Sequence, residues 1–192
     1  VGTVITGATG ATYSITAANM VRGLNGSYYY CTVSNGAGSA TSTRELSTVY
    51  YAPSIKTQQT DQSVNVGTKA TFTIVANAGN PSTTTYKWQY RTSSTGAWAD
   101  CTTTQGTGMT TSSFTTVATT MAMNGYQYRC IIGNAQYPSA ATSNAATLTV
   151  NKLDIAPTVS MTGYTYGGTK NNPTISGNTG NGEVTYYYNT TN

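Results

Sequence analysis

An internal repeat of about 100 residues limits the folds open to this chain more than any other feature. Residues 24–33 align with residues 123–132, and each segment has an Asn-Gly pair followed five residues later by a cysteine. An Ala-Pro step also occurs twice, at 52–53 and 156–157. This period is the size of one β-sandwich module, so the sequence predicts sandwiches in series.

The two Ala-Pro steps predict where the modules begin. Proline fixes φ and keeps the preceding residue extended, so each step favours a stiff junction. We expect residues 1–51 to form the C-terminal part of one module, residues 52–151 a complete module, and residues 152–192 the N-terminal part of a further β-rich repeat. On this phasing the chain is cut from a longer protein.

The composition favours an all-β fold with few chemical groups for catalysis. Thr makes up about a fifth of the chain, Tyr occurs 16 times, and only 7% of residues are charged. Both residue types are strand formers. There is no His, which removes the commonest general base and transition-metal ligand. We therefore expect no enzyme activity, no metal and no cofactor.

Charge and hydropathy exclude two further classes of protein. The nine Lys and Arg residues are scattered, so no basic cluster is present to bind the phosphates of nucleic acid. No apolar run approaches the roughly 20 residues of a membrane span. The five acids are spread over different predicted strands and form no evident catalytic pair.

Residues 52–151 carry the pattern of an immunoglobulin-type sandwich. Strands are predicted at 63–66, 70–75, 86–90, 98–101, 113–117, 126–132 and 144–150, with one helical turn near 119–123. Trp88 lies on a central strand, and Tyr128 precedes Cys130 by two residues, as in a tyrosine corner, whose hydroxyl bonds to the backbone. We expect Trp88, Tyr128, Phe72 and Phe114 to form the core. Trp98 lies beside a turn and is the better candidate for an exposed ring. The predicted fold class is all-β, with tandem immunoglobulin-like β-sandwich modules.

The cysteines suggest one crosslink. In antibody-type domains the Cys of the Tyr-x-Cys motif pairs with a second-strand Cys, but that strand has Phe72 and Ile74 here. The remaining thiol is Cys101, so we expect a Cys101–Cys130 disulfide that closes a loop of about 30 residues and contributes roughly 3–4 kcal/mol. Two buried free thiols are the alternative, and a metal site is a weaker one. Cys31 is either unpaired or paired with a cysteine upstream of this chain.

Four motifs resemble a known family of repeats. They are Lys-Trp-Gln-Tyr at 87–90, Trp-Ala-Asp-Cys at 98–101, Asn-Gly-Tyr-Gln-Tyr-Arg-Cys at 124–130 and Thr-Ser-Asn-Ala-Ala-Thr-Leu-Thr-Val at 142–150. They resemble the immunoglobulin-like tandem repeats of large cell-wall and secreted proteins of Firmicutes. Residues 157–188 resemble the start of a second, Gly/Tyr-rich surface repeat. The resemblance implies stalks, spacers and adhesive segments without catalytic residues.

These observations predict a non-catalytic spacer, stalk or adhesive segment of a large extracellular protein, at the cell surface or secreted. One alternative is a subunit of an extracellular filament or surface layer that assembles through strand edges. Another is an accessory carbohydrate-binding region of a larger secreted enzyme. The expected partners are neighbouring modules, with a glycan, a host protein or identical subunits as further candidates. Asn25 and Asn189 fit the N-glycosylation pattern.

Overall fold

The computed structural model describes residues 2–153, 157–163, 166–168, 172–177 and 183–187. Within these residues the regular structure is β, apart from 3-10 turns at Ala17–Asn19, Arg22–Leu24 and Met121–Met123. None of these turns is long or apolar enough to cross a membrane. The strands, in chain order, are β1 (Tyr28–Tyr29), β2 (Thr32–Asn35), β3 (Gly38–Thr41), β4 (Glu45–Leu46), β5 (Ser54–Thr57), β6 (Gln62–Asn65), β7 (Thr71–Thr73), β8 (Val75–Asn77), β9 (Thr85–Arg91), β10 (Ala99–Asp100), β11 (Gly106–Thr107), β12 (Ser113–Thr116), β13 (Gln127–Gly133), β14 (Ala141–Thr142), β15 (Ala146–Asn151), β16 (Thr158–Ser160) and β17 (Thr174–Ser176).

Strands β5 to β15 build a sandwich of two layers. The larger sheet has the order β10-β9-β13-β15-β6, with β14 also paired to β13. Its longest ladder joins β13 to β9 over seven antiparallel residue pairs, whereas β15 and β6 run parallel. The sheet β11-β12-β7 and the pair β5-β8 supply the other strands. Rings from β7 and β12 pack on rings from β13 and β9, so the core lies between these two layers.

Strand β13 shows why this sequence buries one face of the larger sheet. Successive side chains of a strand point to opposite faces, and Tyr128, Cys130 and Ile132 are all fully buried. Strand β15 repeats the pattern with Ala146, Leu148 and Val150. Burying a large apolar side chain contributes roughly 1.5–3 kcal/mol, so this alternation fixes which face of each strand turns inward.

The four predicted core residues, Trp88, Tyr128, Phe72 and Phe114, are each at most 1% exposed. Their rings form a continuous chain across the sandwich. The ring centroids of Phe72 and Tyr128 are 4.7 Å apart, those of Tyr128 and Phe114 are 5.4 Å apart, and those of Phe114 and Trp88 are 5.9 Å apart. Trp88 Nε1 also donates a 2.9 Å hydrogen bond to the carbonyl oxygen of Thr111.

The tyrosine corner expected at Tyr128 is not formed. Its hydroxyl is buried and has no hydrogen-bond partner among the described residues. Burial, together with the neighbouring Cys101 thiol, raises the pKa of Tyr128 above its usual value. The ring packs in the core as expected, whereas the predicted hydroxyl contact is wrong.

The strand predicted over 70–75 is divided between two sheets. β7 pairs with β12 and β8 pairs with β5. Ile74 lies between them, and its backbone N–H donates to the carbonyl oxygen of Ser112. Phe72 and Ile74 are both buried, so the alternation of inward and outward side chains continues where the pairing changes from β12 to β5. The pairing partners change while the inward face is kept.

The hydrogen bonds of residues 25–49 recur almost unchanged in residues 124–150. The Ser42 hydroxyl accepts the Cys31 N–H at 3.0 Å, and the Ser143 hydroxyl accepts the Cys130 N–H at 2.8 Å. The register is also the same, because Tyr29 pairs with Glu45 as Tyr128 pairs with Ala146. The environments differ: Val33 is 68% exposed, whereas Ile132 at the equivalent position is buried. The repeat is therefore a repeat of backbone structure as well as sequence.

The strand pair β5–β8, which opens the sandwich, also has a counterpart later in the chain. Ser54 and Ile55 of β5 pair with Asn77 and Ala76 of β8. In the same way, β16 pairs with β17, with Thr158 opposite Ser176 and Val159 opposite Ile175. This hairpin-like pair after residue 157 thus resembles the one that opens the sandwich after Pro53.

Candidate functional site

The cysteine pair does not form the expected crosslink. Cys101 and Cys130 are both buried and are free thiols. Cys101 follows β10 and its N–H bonds to the Trp88 carbonyl oxygen, while Cys130 is the Cα partner of Trp88 on the other side. The two cysteines therefore lie two strand spacings apart, about 10 Å between Cα atoms. A disulfide needs Cα atoms within roughly 7 Å, so the predicted Cys101–Cys130 bond is wrong, and the two cysteines are buried thiols on either side of Trp88.

Burial makes both thiols unreactive at neutral pH. It raises the pKa of Cys101 to about 12 and that of Cys130 to about 12. The thiolate is the reactive form, so neither side chain is a nucleophile at neutral pH. Cys31 is exposed and free. No group of three His, Cys, Asp or Glu side chains that could hold a metal ion occurs in the described parts of the chain.

The first candidate site is a polar junction between residues 22–51 and the sandwich. Asn80 lies just after β8, and its Nδ2 donates to Asn25 Oδ1 at 3.1 Å and to the Val49 carbonyl oxygen at 2.7 Å. Its backbone N–H and C=O both bond to Tyr51, at 2.9 and 3.1 Å. One asparagine thus connects three separate points of the preceding segment.

Asn134 closes the same junction from the β13–β14 loop. It is 1% exposed, and its Nδ2 donates to the carbonyl oxygens of Tyr51 and Pro81, both at 3.1 Å. Its Oδ1 accepts the N–H groups of Gln136 and Tyr137, which holds the loop in place. Both the nitrogen and the oxygen of the Asn134 amide are therefore hydrogen-bonded, as is usual for a buried polar group.

The junction is closely packed as well as hydrogen-bonded. A Cβ atom on Gly79 would overlap the Tyr51 carbonyl oxygen and would lie 2.7 Å from the Pro53 nitrogen. Only glycine allows this approach of one backbone to another. The Arg22 guanidinium also lies 4.6 Å from the centroid of the Tyr51 ring. We call Asn25, Val49, Tyr51, Asn80 and Asn134 the junction cluster.

The predicted glycosylation residue Asn25 belongs to the junction cluster. Its Oδ1 accepts the Val49 N–H at 3.0 Å as well as the Asn80 amide. Asn124 makes the equivalent contact to the Val150 N–H at 2.9 Å, so this contact is part of the repeat. The Asn25 side chain is exposed but its oxygen is engaged. The second predicted glycosylation residue, Asn189, lies outside the described residues.

The second candidate site is on the outer face of the larger sheet. Trp98, expected to be the more exposed indole, is half-buried there. Its ring centroid lies 4.3 Å from the Arg129 guanidinium and 4.6 Å from the Arg91 guanidinium. Gln89 Oε1 accepts from Arg129 Nε at 2.9 Å, and Gln127 Oε1 accepts from Arg91 at 2.8 and 2.6 Å. We call these five residues the Trp98 cluster.

Sequence reasoning singled out Asn25 and Trp98 but not their neighbours. Asn80, Asn134, Arg91 and Arg129 each belong to an ordinary-looking loop or strand. The only available signals were the Gly-Asn-Pro turn at 79–81 and the outward phase of Arg91 and Arg129, opposite to Tyr90 and Tyr128.

Comparisons with known proteins support the fold. No protein-family model and no curated protein matches the sequence. Among solved structures, the eight N-terminal immunoglobulin domains of Down Syndrome Cell Adhesion Molecule align with a TM-score of 0.53 and 18% identity, over 68% of this chain and 16% of that one. Sidekick-1 immunoglobulin domains 1–5 give 0.44 and 19%, over 65% of this chain and 25% of that one. The Ig1-2 module of the Drosophila receptor protein tyrosine phosphatase DLAR gives 0.40 and 22%, over 56% of this chain and 55% of that one.

The class of protein follows from the sandwich and the repeated elements together. At these identities the likeness shows the fold alone, and the first of the three structures carries it. The chain is an all-β protein of immunoglobulin-like sandwich repeats. It spans only a quarter of the Sidekick-1 chain and a smaller part of the cell adhesion molecule.

Proposed function

We propose that the chain is a non-catalytic structural segment, a stalk or spacer, of a large extracellular surface protein of the bacterial type that its motifs resemble. In this proposal residues 1–51, 52–151 and 152–192 belong to three successive modules. The junction cluster is the observation that carries the proposal. It joins the first two modules through side chains of both, so that each module holds the next at a fixed angle.

The number of contacts supports a stiff joint. Asn80 and Asn134 together make three side-chain hydrogen bonds to residues 25–51, at 2.7 to 3.1 Å. A net contribution of roughly 0.5–1.5 kcal/mol for each would favour the joined arrangement by several kcal/mol. The missing Cβ of Gly79 lets the two backbones meet without a spacer. A flexible linker would instead have polar groups facing water and no such close approach.

The recurrence of the Asn25–Val49 contact as Asn124–Val150 supports the same use at the next boundary. A rod of such modules needs the same surface at the end of every module. The chain offers this surface twice, about 100 residues apart.

Hydrogen exchange tests the joint in the intact chain. We expect Asn80→Ala to lower the protection of the Tyr51 amide roughly tenfold, because two side-chain hydrogen bonds across the joint are lost. Asn77→Ala is the control, since Asn77 is an exposed Asn on the same segment whose side chain bonds to Ser54 within the sandwich. A Tyr51 amide that exchanges at the unprotected rate in the native chain would rule out a fixed joint.

A filament or surface-layer subunit is the second candidate. The hairpin β2–β3 supports it, because all eight of its strand residues are exposed and Val33 is 68% exposed. Exposed strand edges can pair with another chain. Sedimentation of the chain over a range of concentrations separates the candidates, since a filament subunit associates and a stalk segment stays monomeric.

A further inference from the structure

The Trp98 cluster brings two cations together, and no carboxylate of the described residues forms an ion pair with either. Arg91 and Arg129 lie on adjacent strands, since Arg91 pairs with Gln127 and Arg129 pairs with Gln89. Both guanidiniums lie within 4.6 Å of one indole centroid. Partial burial and, to a lesser degree, the charge of Arg91 lower the pKa of Arg129.

Asp100 borders the cluster through Gln89, but neither Asp100 nor Asp61 forms an ion pair with Arg91 or Arg129. Asp100 forms a 2.7 Å ion pair with Lys87 and accepts from Gln89 Nε2 at 2.8 Å. Asp61 accepts the backbone N–H of Thr147 at 2.7 Å. Among the residues that the structure describes, the Lys87–Asp100 contact is the only ion pair, so no carboxylate reaches either arginine.

The two glutamines position the guanidiniums for a ligand. Gln89 and Gln127 accept from the Nε groups, which fixes the plane of each guanidinium on the sheet face. Neither Nη of Arg129 donates a hydrogen bond to any described residue. A planar guanidinium with free N–H groups matches the oxygens of a carboxylate or sulfate in a bidentate way.

We propose that the Trp98 cluster is a binding site for an acidic polysaccharide, whose carboxylate or sulfate groups pair with Arg91 and Arg129. The part of the indole that stays exposed beside the two guanidiniums gives an apolar surface against which a sugar ring packs. The site lies on the face of the sheet, where side chains project. Arginine clusters also bind acidic peptide motifs, but such a peptide offers no sugar ring to the indole, so the presence of Trp98 beside the two arginines favours a sugar over a peptide. The proposal does not depend on the junction being rigid.

Titration of the ¹⁵N-labelled chain, followed by NMR, tests this site. The chain has two indole N–H signals, and Trp88 is an internal reference because its N–H is buried and bonded to Thr111. An oligouronate and a sulfated oligosaccharide should each be tested, with a neutral hexose oligomer of equal length. We expect at least one acidic sugar to shift the Trp98 indole and the arginine Nε signals, and the neutral one to leave them unchanged.

Substitutions separate a built site from general charge attraction. Arg91→Gln and Arg129→Gln should each weaken binding by roughly tenfold, because each removes a charge-assisted bidentate contact. Arg129→Lys, which keeps the charge but loses the planar fork, should also weaken it. Lys56→Gln removes an exposed charge from β5 and should leave the affinity unchanged.

Three results would overturn the proposal. The first is the absence of a Trp98 shift with both acidic sugars. The second is an equal loss of affinity in Lys56→Gln and Arg129→Gln, which would reduce the effect to net charge. The third is an oligo-aspartate that binds as tightly as the sugars, which would assign the cluster to acidic peptides.

Discussion

At the scale of single residues, two polar groups on the aromatic rings of the core differ in their hydrogen bonding. The Trp88 N–H reaches the Thr111 carbonyl oxygen, whereas the Tyr128 hydroxyl has no partner among the described residues. Leaving a buried hydroxyl unbonded costs roughly 1–3 kcal/mol, so Tyr128 stabilises the core through its ring and not through its oxygen.

Removing the Tyr128 hydroxyl should therefore not weaken the fold. We expect Tyr128→Phe to leave the free energy of unfolding unchanged or to raise it by up to about 1 kcal/mol, because the ring contacts are kept. Denaturant unfolding measures this. Thr116→Val is the contrasting variant, since the buried Thr116 hydroxyl accepts the Ala70 N–H at 3.0 Å. We expect it to lose about 1–3 kcal/mol. A loss of similar size in Tyr128→Phe would show that the hydroxyl has a partner after all.

At the scale of strands, the sequence predicts which face of the sheet a side chain points to. It predicts less well which strands lie next to each other. The alternation in 86–90 and 126–132 correctly placed Trp88, Tyr128 and Cys130 inward. Cys101 is also inward, so the phase of both cysteines was right. The error lies in strand order: β9 lies between β10 and β13, and Trp88 separates the thiols. Strand order depends on long-range pairing, which a local pattern does not contain.

The short strands show the same limit. β5, β8, β11 and β14 were not predicted as separate strands, and β11 and β14 are only two residues long. The strands β11 and β14 are too short for an alternation of apolar and polar residues to be recognised. The junction cluster was missed for a related reason, because Asn80 meets Asn25 and Val49 across large sequence separations. Only the Asn-Gly and Gly-Asn-Pro turns were visible beforehand.

The strand order predicts how the three cysteines react. We expect one fast thiol per native chain with a disulfide reagent at pH 8, because Cys31 is exposed while burial raises the pKa of Cys101 and Cys130 to about 12. At pH 8 the thiolate fraction of such a group is about one in 10⁴. Without reductant, the denatured chain should show three reactive thiols. A count of one after denaturation would mean that a disulfide joins Cys101 and Cys130 in solution.

At the scale of the whole molecule, the repeated elements indicate modules in series, and the junction cluster lies where the first module meets the second. Residues 25–49 and 124–150 share their hydrogen bonds, and β16–β17 repeats the pairing of β5–β8. The repeat length and the all-β class followed from the sequence, because the period and the Thr- and Tyr-rich composition act over the whole chain. The proposed fixed angle between modules did not, since it depends on a few amide contacts and one close backbone approach at Gly79.

We propose that residues 25–51 are held in a fixed position on the sandwich, and a spin-label distance distribution measures this directly. One label goes on the exposed Cys31 and the other on Ser94→Cys in the exposed loop after β9. A reference pair within the sandwich, Thr68→Cys with Ser94→Cys in a Cys31→Ser background, gives the width expected for a rigid body. For a fixed joint we expect a single distribution between Cys31 and position 94 that is no broader than the reference. A broad or multiple distribution in the native chain would contradict it.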